Sequence, residues 1–245
     1  EVHDAYFAAG ATVATTNTYA VLRDRLARAG LELHLEELTE TALLAARAAR
    51  DAAGKGRVAA SLGPLIASYR PDICPPPEEA EKIYAEPVRL LKDRADILLI
   101  ETMASVDQAE GARRAACGQG RPVWLAVTVK DDDGGRLRSG EAVGDLAPLV
   151  ARFAPDAVLV NCSPPEAIDD ALDIVAGFGR AFGAYANGFT RISKGFLDDA
   201  PTVDALEART DLDPAAYAEF AMGWVARGAT IVGGCSDVSP DHIAD

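Results

Sequence analysis

The sequence predicts an α/β protein built as a (β/α)8 barrel, on three observations. Apolar runs rich in β-branched residues alternate regularly with stretches of helical periodicity, which is typical of βα units around a parallel sheet. A doubly wound sheet fits that alternation equally well. However, polar side chains stand at the C-terminal ends of the runs, where a barrel gathers them at one mouth. In addition, no G-x-G-x-x-G nucleotide loop follows the first strand, although doubly wound folds often carry one.

The elements follow one another as seven strands, each followed by a helix, behind one leading helix. Strands are predicted at 11–18, 57–62, 96–100, 123–129, 157–161, 181–186 and in a run within 228–234. Helices are predicted at 2–9, 21–29, 35–53, 78–94, 105–117, 144–153, 165–177 and 214–227, with a last helix opening at Ser239. Gly10 ends the leading helix as a C-cap residue, and a long loop covers 187–211.

Two of the strands carry the strongest signals. The run at 96–100, Asp-Ile-Leu-Leu-Ile, is almost continuously apolar, which indicates burial on both faces, as in a parallel sheet. The last strand ends in Gly233 and Gly234 and is followed by Cys235 and Ser236. Glycines at this point allow a ligand or another backbone to come close, so the strand delivers a thiol to the rim of the sheet.

Composition limits the class of protein. The 245 residues, 49% of them hydrophobic, suffice for one large core, and no linker-like stretch divides them, so a single domain over 1–245 is predicted. A formal charge of −14 argues against binding to nucleic acid or to an anionic membrane. Without a signal peptide or a long apolar span, the four cysteines favour a cytoplasmic protein with free thiols or metal ligands. The sequence carries no signal for an oligomeric state.

Three side chains at strand ends are candidates for chemistry. Cys162 and Cys235 each terminate a strand, so a barrel brings their thiols together, and two thiolates form a natural site for a soft metal such as zinc. From spacing alone, two unrelated buried thiols are the better interpretation, because free cysteine packs as a small hydrophobe. Glu101 follows Ile100 at a partly desolvated mouth, which favours a functional carboxylate over a simple ion pair.

Six short segments occur in order along nearly the whole chain. They are AGATVATTNTY at 9–19, SLGP at 61–64, IETM at 100–103, DGGRLRSG at 133–140, VNCS at 160–163 and VGGC at 232–235, the last followed by SPDHI at 239–243. In this order they resemble the homocysteine S-methyltransferase family. The resemblance implies a barrel in which a zinc-bound homocysteine thiolate takes a methyl group from a small donor such as S-methylmethionine, betaine or methyltetrahydrofolate.

The same resemblance implies a set of metal ligands. The family holds zinc with three cysteines, of which Cys162 and Cys235 match two, while Ser236 stands at the place of the third. A serine hydroxyl is a far poorer zinc ligand than a thiolate. Three outcomes follow: zinc binds weakly, with Asp237, water or another residue completing its shell; the site serves different chemistry; or the activity is lost.

The resemblance also implies a substrate pocket. Glu101 matches the glutamate that holds the amino group of the substrate, and Asn17, Tyr19 and Asn161 are expected to line the same mouth as substrate-binding residues. No residue is predicted to act as a general acid or base in methyl transfer. Thr18 is expected to be a hydrogen-bonded strand-end residue instead.

The leading hypothesis is therefore an enzyme that methylates homocysteine to methionine, with small-molecule acceptor and donor as its partners. One rival is a family member with a degenerate metal site that binds a small amino-acid-like metabolite without zinc. A weaker rival is a metal-free barrel enzyme with Glu101 as general base. The resemblance further predicts a longer natural polypeptide, with a first strand and glycine-rich loop before Glu1 and the last helix continuing past Asp245.

Overall fold

A computed structural model describes residues 1–193, 195–197 and 206–245. Its centre is one sheet of seven parallel strands, in which every strand pairs with the next one along the chain. The strands are β1 Val13–Thr15, β2 Arg57–Leu62, β3 Ile97–Met103, β4 Val123–Val127, β5 Ala157–Asn161, β6 Ala181–Ala186 and β7 Ile231–Gly234. The sheet curls as an open barrel, and the seven strands and their order are as the sequence predicts.

Within the described ranges the α-helices precede, alternate with and follow these strands. They are α1 Val2–Ala8, α2 Arg23–Ala27, α3 Leu35–Ala53, α4 Pro77–Leu91, α5 Val106–Ala116, α6 Ala147–Phe153, α7 Pro165–Ala176, α8 Pro214–Ala226 and α9 Pro240–Ala244. Local sequence accounts for several helix starts. The Ser105 hydroxyl accepts a hydrogen bond from the Gln108 amide at the start of α5, and the Asp213 carboxylate caps α8 through the Ala216 amide.

Alternation along the strands divides the core into two layers. The larger layer lies between the strands and the helices and includes Leu98, Ile100, Val158 and Val160. The smaller layer fills the interior of the curved sheet. Its members, drawn from alternate strand positions, are Ala59, Ile97, Leu99, Trp124, Ala126, Ala157 and Leu159, with Val13, Tyr185 and Ile231 packed against them. Because side chains alternate with period two, the inward series continues to the strand ends.

Three strands differ from their predicted bounds, and the simplest case is β4, which ends at Val127 instead of Val129. β1 covers three residues instead of 11–18, because the chain turns where the Thr18 amide donates to the Thr16 carbonyl. β3 runs beyond Ile100 to Met103, through a register shift between these two residues. Thr102 there adopts φ of 62°, a left-handed conformation uncommon outside glycine. β3 thus carries Glu101 inside the sheet rather than just after it.

For the segment after β6 the sequence predicts one long loop over 187–211. Of this segment, residues 194 and 198–205 lie outside the described residues, whereas a short 3-10 turn occurs at Gly195–Leu197. As for membrane insertion, none of the helices in the described ranges has the length and apolar content needed to cross a bilayer.

Candidate active site

The inward series of three strands ends in a buried polar cluster formed by Ser61 of β2, Glu101 of β3 and Tyr185 of β6. The Ser61 hydroxyl donates a hydrogen bond to Oε1 of Glu101, and the Tyr185 hydroxyl donates to Oε2 across 2.9 Å. Glu101 is only 7% exposed. Each carboxylate oxygen is therefore bonded, and the group is held in one orientation at the mouth.

Burial dominates the electrostatics of this cluster. It raises the pKa of the Glu101 carboxyl above its ordinary value, and the hydrogen bonds from Ser61 and Tyr185 offset that effect in part. Burial and the adjacent carboxylate raise the pKa of Tyr185 well above the ordinary value for tyrosine, so Tyr185 remains a hydrogen-bond donor. A desolvated carboxylate whose bonds are fixed is suited to receive a cationic group, which would in turn stabilise its ionised form.

Asn161 ends the inward series of β5 and is fully buried. Its Oδ1 accepts from the Thr102 amide at 3.0 Å, and its Nδ2 donates to the Thr102 hydroxyl at 2.9 Å. The side chain thus bridges the inside of the barrel and holds the left-handed turn next to Glu101. Its role as a substrate-binding residue stays a prediction, since both polar atoms already have a protein partner.

Tyr19 and Asn17 follow β1 and differ in their surroundings. The Tyr19 hydroxyl lies 2.8 Å from Ser68 Oγ, its ring lies beneath the Arg25 guanidinium, and burial raises its pKa, with Glu101 close enough to contribute. Asn17 is exposed, and its side chain has no hydrogen-bond partner among the described residues. The structure therefore holds Tyr19 against Ser68 and Arg25 but leaves Asn17 exposed.

Thr18 is the hydrogen-bonded strand-end residue that the sequence predicts. Its hydroxyl donates to the Ser61 carbonyl at 2.7 Å, tying the end of β1 to that of β2. The segment after β1 can pack this closely against the segment after β2 only because residue 63 is a glycine. A Cβ at Gly63 would overlap the Tyr19 carbonyl. Near the other edge, His242 accepts from the Ser239 amide through Nδ1, as part of the cap of α9.

The sulfurs of Cys162 and Cys235 meet as a disulfide, although the two residues are 73 positions apart. Their Cα atoms are 5.8 Å apart. The two thiols converge at the mouth as the barrel prediction requires. Tyr185 links them to the carboxylate, because its carbonyl accepts from the Cys162 amide at 3.2 Å while its hydroxyl bonds Glu101.

The side chains around Cys162 and Cys235 supply only part of the ligand shell that zinc requires. Two sulfurs that reach each other can close on one ion, and thiolates are preferred zinc ligands. Ser236 and Asp237 follow Cys235 directly in the sequence, and both are exposed. Across the described part of the chain, no group of three or more His, Cys, Asp and Glu side chains is placed to hold a metal. The pair fits zinc, but the site is one strong ligand short.

Sequence reasoning missed the roles of Tyr185, of Thr102 and of Arg138, whose guanidinium donates to the Cys162 carbonyl at 3.3 Å. The inward phase of β6 gives a signal for Tyr185, because Gly183 and Tyr185 alternate with outward alanines. Thr102 and Arg138 act through backbone geometry and loop contacts, for which the sequence pattern gives no comparable signal. Cys74 and Cys117 are free and take no part in the pair.

Comparison with known proteins decides the family. The sequence profile described as homocysteine S-methyltransferase matches residues 1–245. The chain belongs to the homocysteine S-methyltransferase family. The chain is also similar to methionine synthase of Mycobacterium leprae, with 27% identity over 266 residues, which cover 100% of this chain and 20% of that protein. It therefore spans about a fifth of the length of this relative.

Solved structures of the family agree with the fold. The homocysteine methyltransferase MmuM from Escherichia coli, in its metallated form, matches with a TM-score of 0.79 and 27% identity, over 99% of this chain and 81% of that one. Its oxidised form matches with a TM-score of 0.80 and 25% identity, over the same shares. The barrel expected from the sequence is thus shown both by its strand order and by its structural relatives.

Proposed function

We propose that this member of the homocysteine S-methyltransferase family transfers a methyl group from a small donor to the thiol of homocysteine. The observation that carries the proposal is the meeting of Cys162 and Cys235 beside the buried Glu101 carboxylate. The pair offers soft ligands for a metal, and the carboxylate offers a partner for an amino group. Homocysteine carries both a thiol and an amino group, separated by a short chain.

In the proposed reaction, Glu101 receives the ammonium group of homocysteine. Ser61 and Tyr185 keep both carboxylate oxygens in place, so the amino acid is oriented before its sulfur reaches the thiol pair. Cys162 and Cys235 would hold the zinc, which when bound supplies a charge that keeps the substrate sulfur deprotonated at neutral pH. The sulfur then attacks the methyl carbon of the donor, and the donor leaves without its methyl group.

A second candidate function rests on Ser236. With one thiolate fewer than the family's ligand set, the protein would bind an amino-acid-like metabolite through Glu101 and carry out no zinc-dependent methyl transfer. A third, metal-free reaction with Glu101 as general base would be unaffected by changes to the cysteines.

Metal analysis combined with a methyl-transfer assay separates these functions. The protein is assayed with homocysteine and, in turn, S-methylmethionine, betaine and methyltetrahydrofolate, and its zinc content is measured after dialysis. We expect zinc and turnover in the wild type and the loss of both in Cys162→Ala and Cys235→Ala. Cys117→Ala, which removes an exposed free thiol, serves as the matched control.

Each other outcome points to one alternative. Binding of homocysteine without zinc or turnover supports the metabolite-binding function. Turnover that persists in both Cys162→Ala and Cys235→Ala supports the metal-free enzyme and contradicts our proposal.

A further inference from the structure

The backbone of Cys162 interrupts the alternation of β5. Ala157 and Leu159 lie in the interior layer and Asn161 reaches Thr102, so an extended chain would direct the next side chain outward. Cys162 instead has φ of 48°, and its sulfur meets Cys235. The left-handed conformation is unfavourable for a residue with a Cβ, so the surrounding structure must hold it.

Two donors converge on the Cys162 carbonyl. The Thr128 hydroxyl donates to it at 3.1 Å, and Nη2 of Arg138 donates at 3.3 Å. Arg138 also donates through Nε to the Thr128 hydroxyl oxygen at 2.9 Å, which orients that hydroxyl toward Cys162. The guanidinium therefore acts on this carbonyl both directly and through Thr128.

Arg138 is itself fixed on several sides. Its side chain is 10% exposed, and Nη2 lies 2.6 Å from Oδ1 of Asp131. The guanidinium lies over the Tyr69 ring, 4.6 Å from its centroid. Oδ2 of Asp131 accepts from the Ile192 amide at 2.8 Å, so the ion pair joins the loops that follow β4, β5 and β6. The planar fork of arginine matches these divided contacts, which a lysine could make only in part.

We propose that Arg138 is a positioning residue that holds Cys162 in the left-handed conformation and so presents its thiol to Cys235. Without the guanidinium, the Cys162 carbonyl loses one donor and the orientation of the other. The backbone then relaxes toward the extended region, which turns the thiol outward. The proposal concerns the two thiols alone and does not depend on zinc or on methyl transfer.

The test measures how readily the two thiols reach each other. The full chain is equilibrated in mixtures of reduced and oxidised glutathione, trapped by alkylation, and mapped by mass spectrometry for the Cys162–Cys235 disulfide. Each pair that is oxidised consumes one oxidised glutathione and releases two reduced ones, so the squared concentration of reduced glutathione divided by that of oxidised glutathione at half oxidation gives the equilibrium constant. We expect this constant to fall about tenfold or more in Arg138→Met, the scale of a lost charge-assisted hydrogen bond, and by less in Arg138→Lys.

Arg136→Met is the matched control, because Arg136 stands on the same loop, is exposed, and donates to the Gly140 carbonyl rather than to Cys162. Its constant should equal that of the wild type. A thermal melt of every variant checks folding. A wild-type constant in folded Arg138→Met overturns the proposal. If Arg138→Met does not fold, Arg138→Lys decides, and a wild-type constant in that variant overturns the proposal as well. Zinc and homocysteine are absent from the assay, so either result leaves the proposed function to its own test.

Discussion

The two ends of the mouth differ in how completely their polar groups are bonded. At one end the Glu101 carboxylate is buried and each oxygen accepts from a side chain of a different strand. At the other end Cys162 and Cys235 meet, but the next residue, Ser236, is an exposed hydroxyl at the position where the resemblance to the family implies a third cysteine. The comparison indicates that the end that would hold the amino acid is complete, whereas the end that would hold the metal depends on an added ligand.

The largest expected effect is from restoring the third thiol. Ser236→Cys should raise zinc affinity by about 100-fold or more, because even outer-shell partners of a metal site contribute roughly 10–100-fold. Competition with a chromogenic chelator measures the change. Ser139→Cys adds a thiol on an exposed loop and should leave the affinity unchanged. Equal affinities in Ser236→Cys and wild type would show that the two ends are already equally complete.

Glu101→Gln tests the carboxylate end of the mouth. Homocysteine affinity should fall by roughly 10–100-fold, the scale of a hydrogen bond to a charged group. Calorimetric titration with homocysteine and with 2-aminobutyrate, which lacks the sulfur, separates the two ends. Glu101→Gln should weaken both ligands, whereas Cys162→Ala should weaken homocysteine alone. Glu36→Gln, at an exposed position on α3, is the control. Retention of wild-type 2-aminobutyrate affinity in Glu101→Gln would remove the carboxylate from the substrate site.

The raised pKa of Glu101 predicts a pH-dependent cost to stability. The folded protein holds this proton more tightly than the unfolded chain, so the contribution is present below the ordinary pKa of 4.5 and is lost as pH rises through the raised value. Glu101→Gln should therefore gain melting temperature relative to wild type as pH rises from about 4.5 toward neutrality. Differential scanning calorimetry across that range measures the gain. A difference that does not change with pH would mean that Glu101 titrates alike in both states.

The smallest effects distinguish two asparagines that the resemblance placed together. Asn161→Ala should destabilise the fold by about 1–3 kcal/mol, because it leaves the buried Thr102 amide without its partner. Asn17→Ala should change the free energy of unfolding by no more than about 0.5 kcal/mol, since Asn17 is exposed. Chemical denaturation measures both. Substrate binding by Asn17 would then be visible as a higher KM at unchanged stability.

The sequence predicts the barrel well because its signals are local and repeated. Helix α3 and strands β2, β5 and β6 occupy the predicted residues, since apolar periodicity and glycine or proline boundaries define each of them without reference to the rest of the fold. β1 is shorter than predicted because a turn at Thr16 and Thr18, bonded to β2, replaces the extended chain. The hydrogen bond from Thr18 to the Ser61 carbonyl forms only in the tertiary structure, so the local strand propensity of residues 11–18 does not predict it.

The site is predictable only in part, for a related reason. Cys162 and Cys235 follow strands and Glu101 lies near the end of β3, so all three could be assigned to one mouth. The partners of Glu101 come from strands 40 and 84 residues away, and no local pattern pairs them. The left-handed backbone at Thr102 and Cys162 is equally invisible, because neither residue type favours it. Strand alternation alone would have turned Cys162 away from its partner.

The pairing of each strand with the next has a consequence for synthesis on the ribosome. Each βα unit can dock on the one that emerged before it, so the barrel can grow in the order of translation. Ser61 and Glu101 meet early, and Tyr185 joins them when β6 arrives. Cys235 follows β7 and emerges last. A nascent chain can therefore hold the complete Ser61–Glu101–Tyr185 cluster before Cys235 is available to meet Cys162.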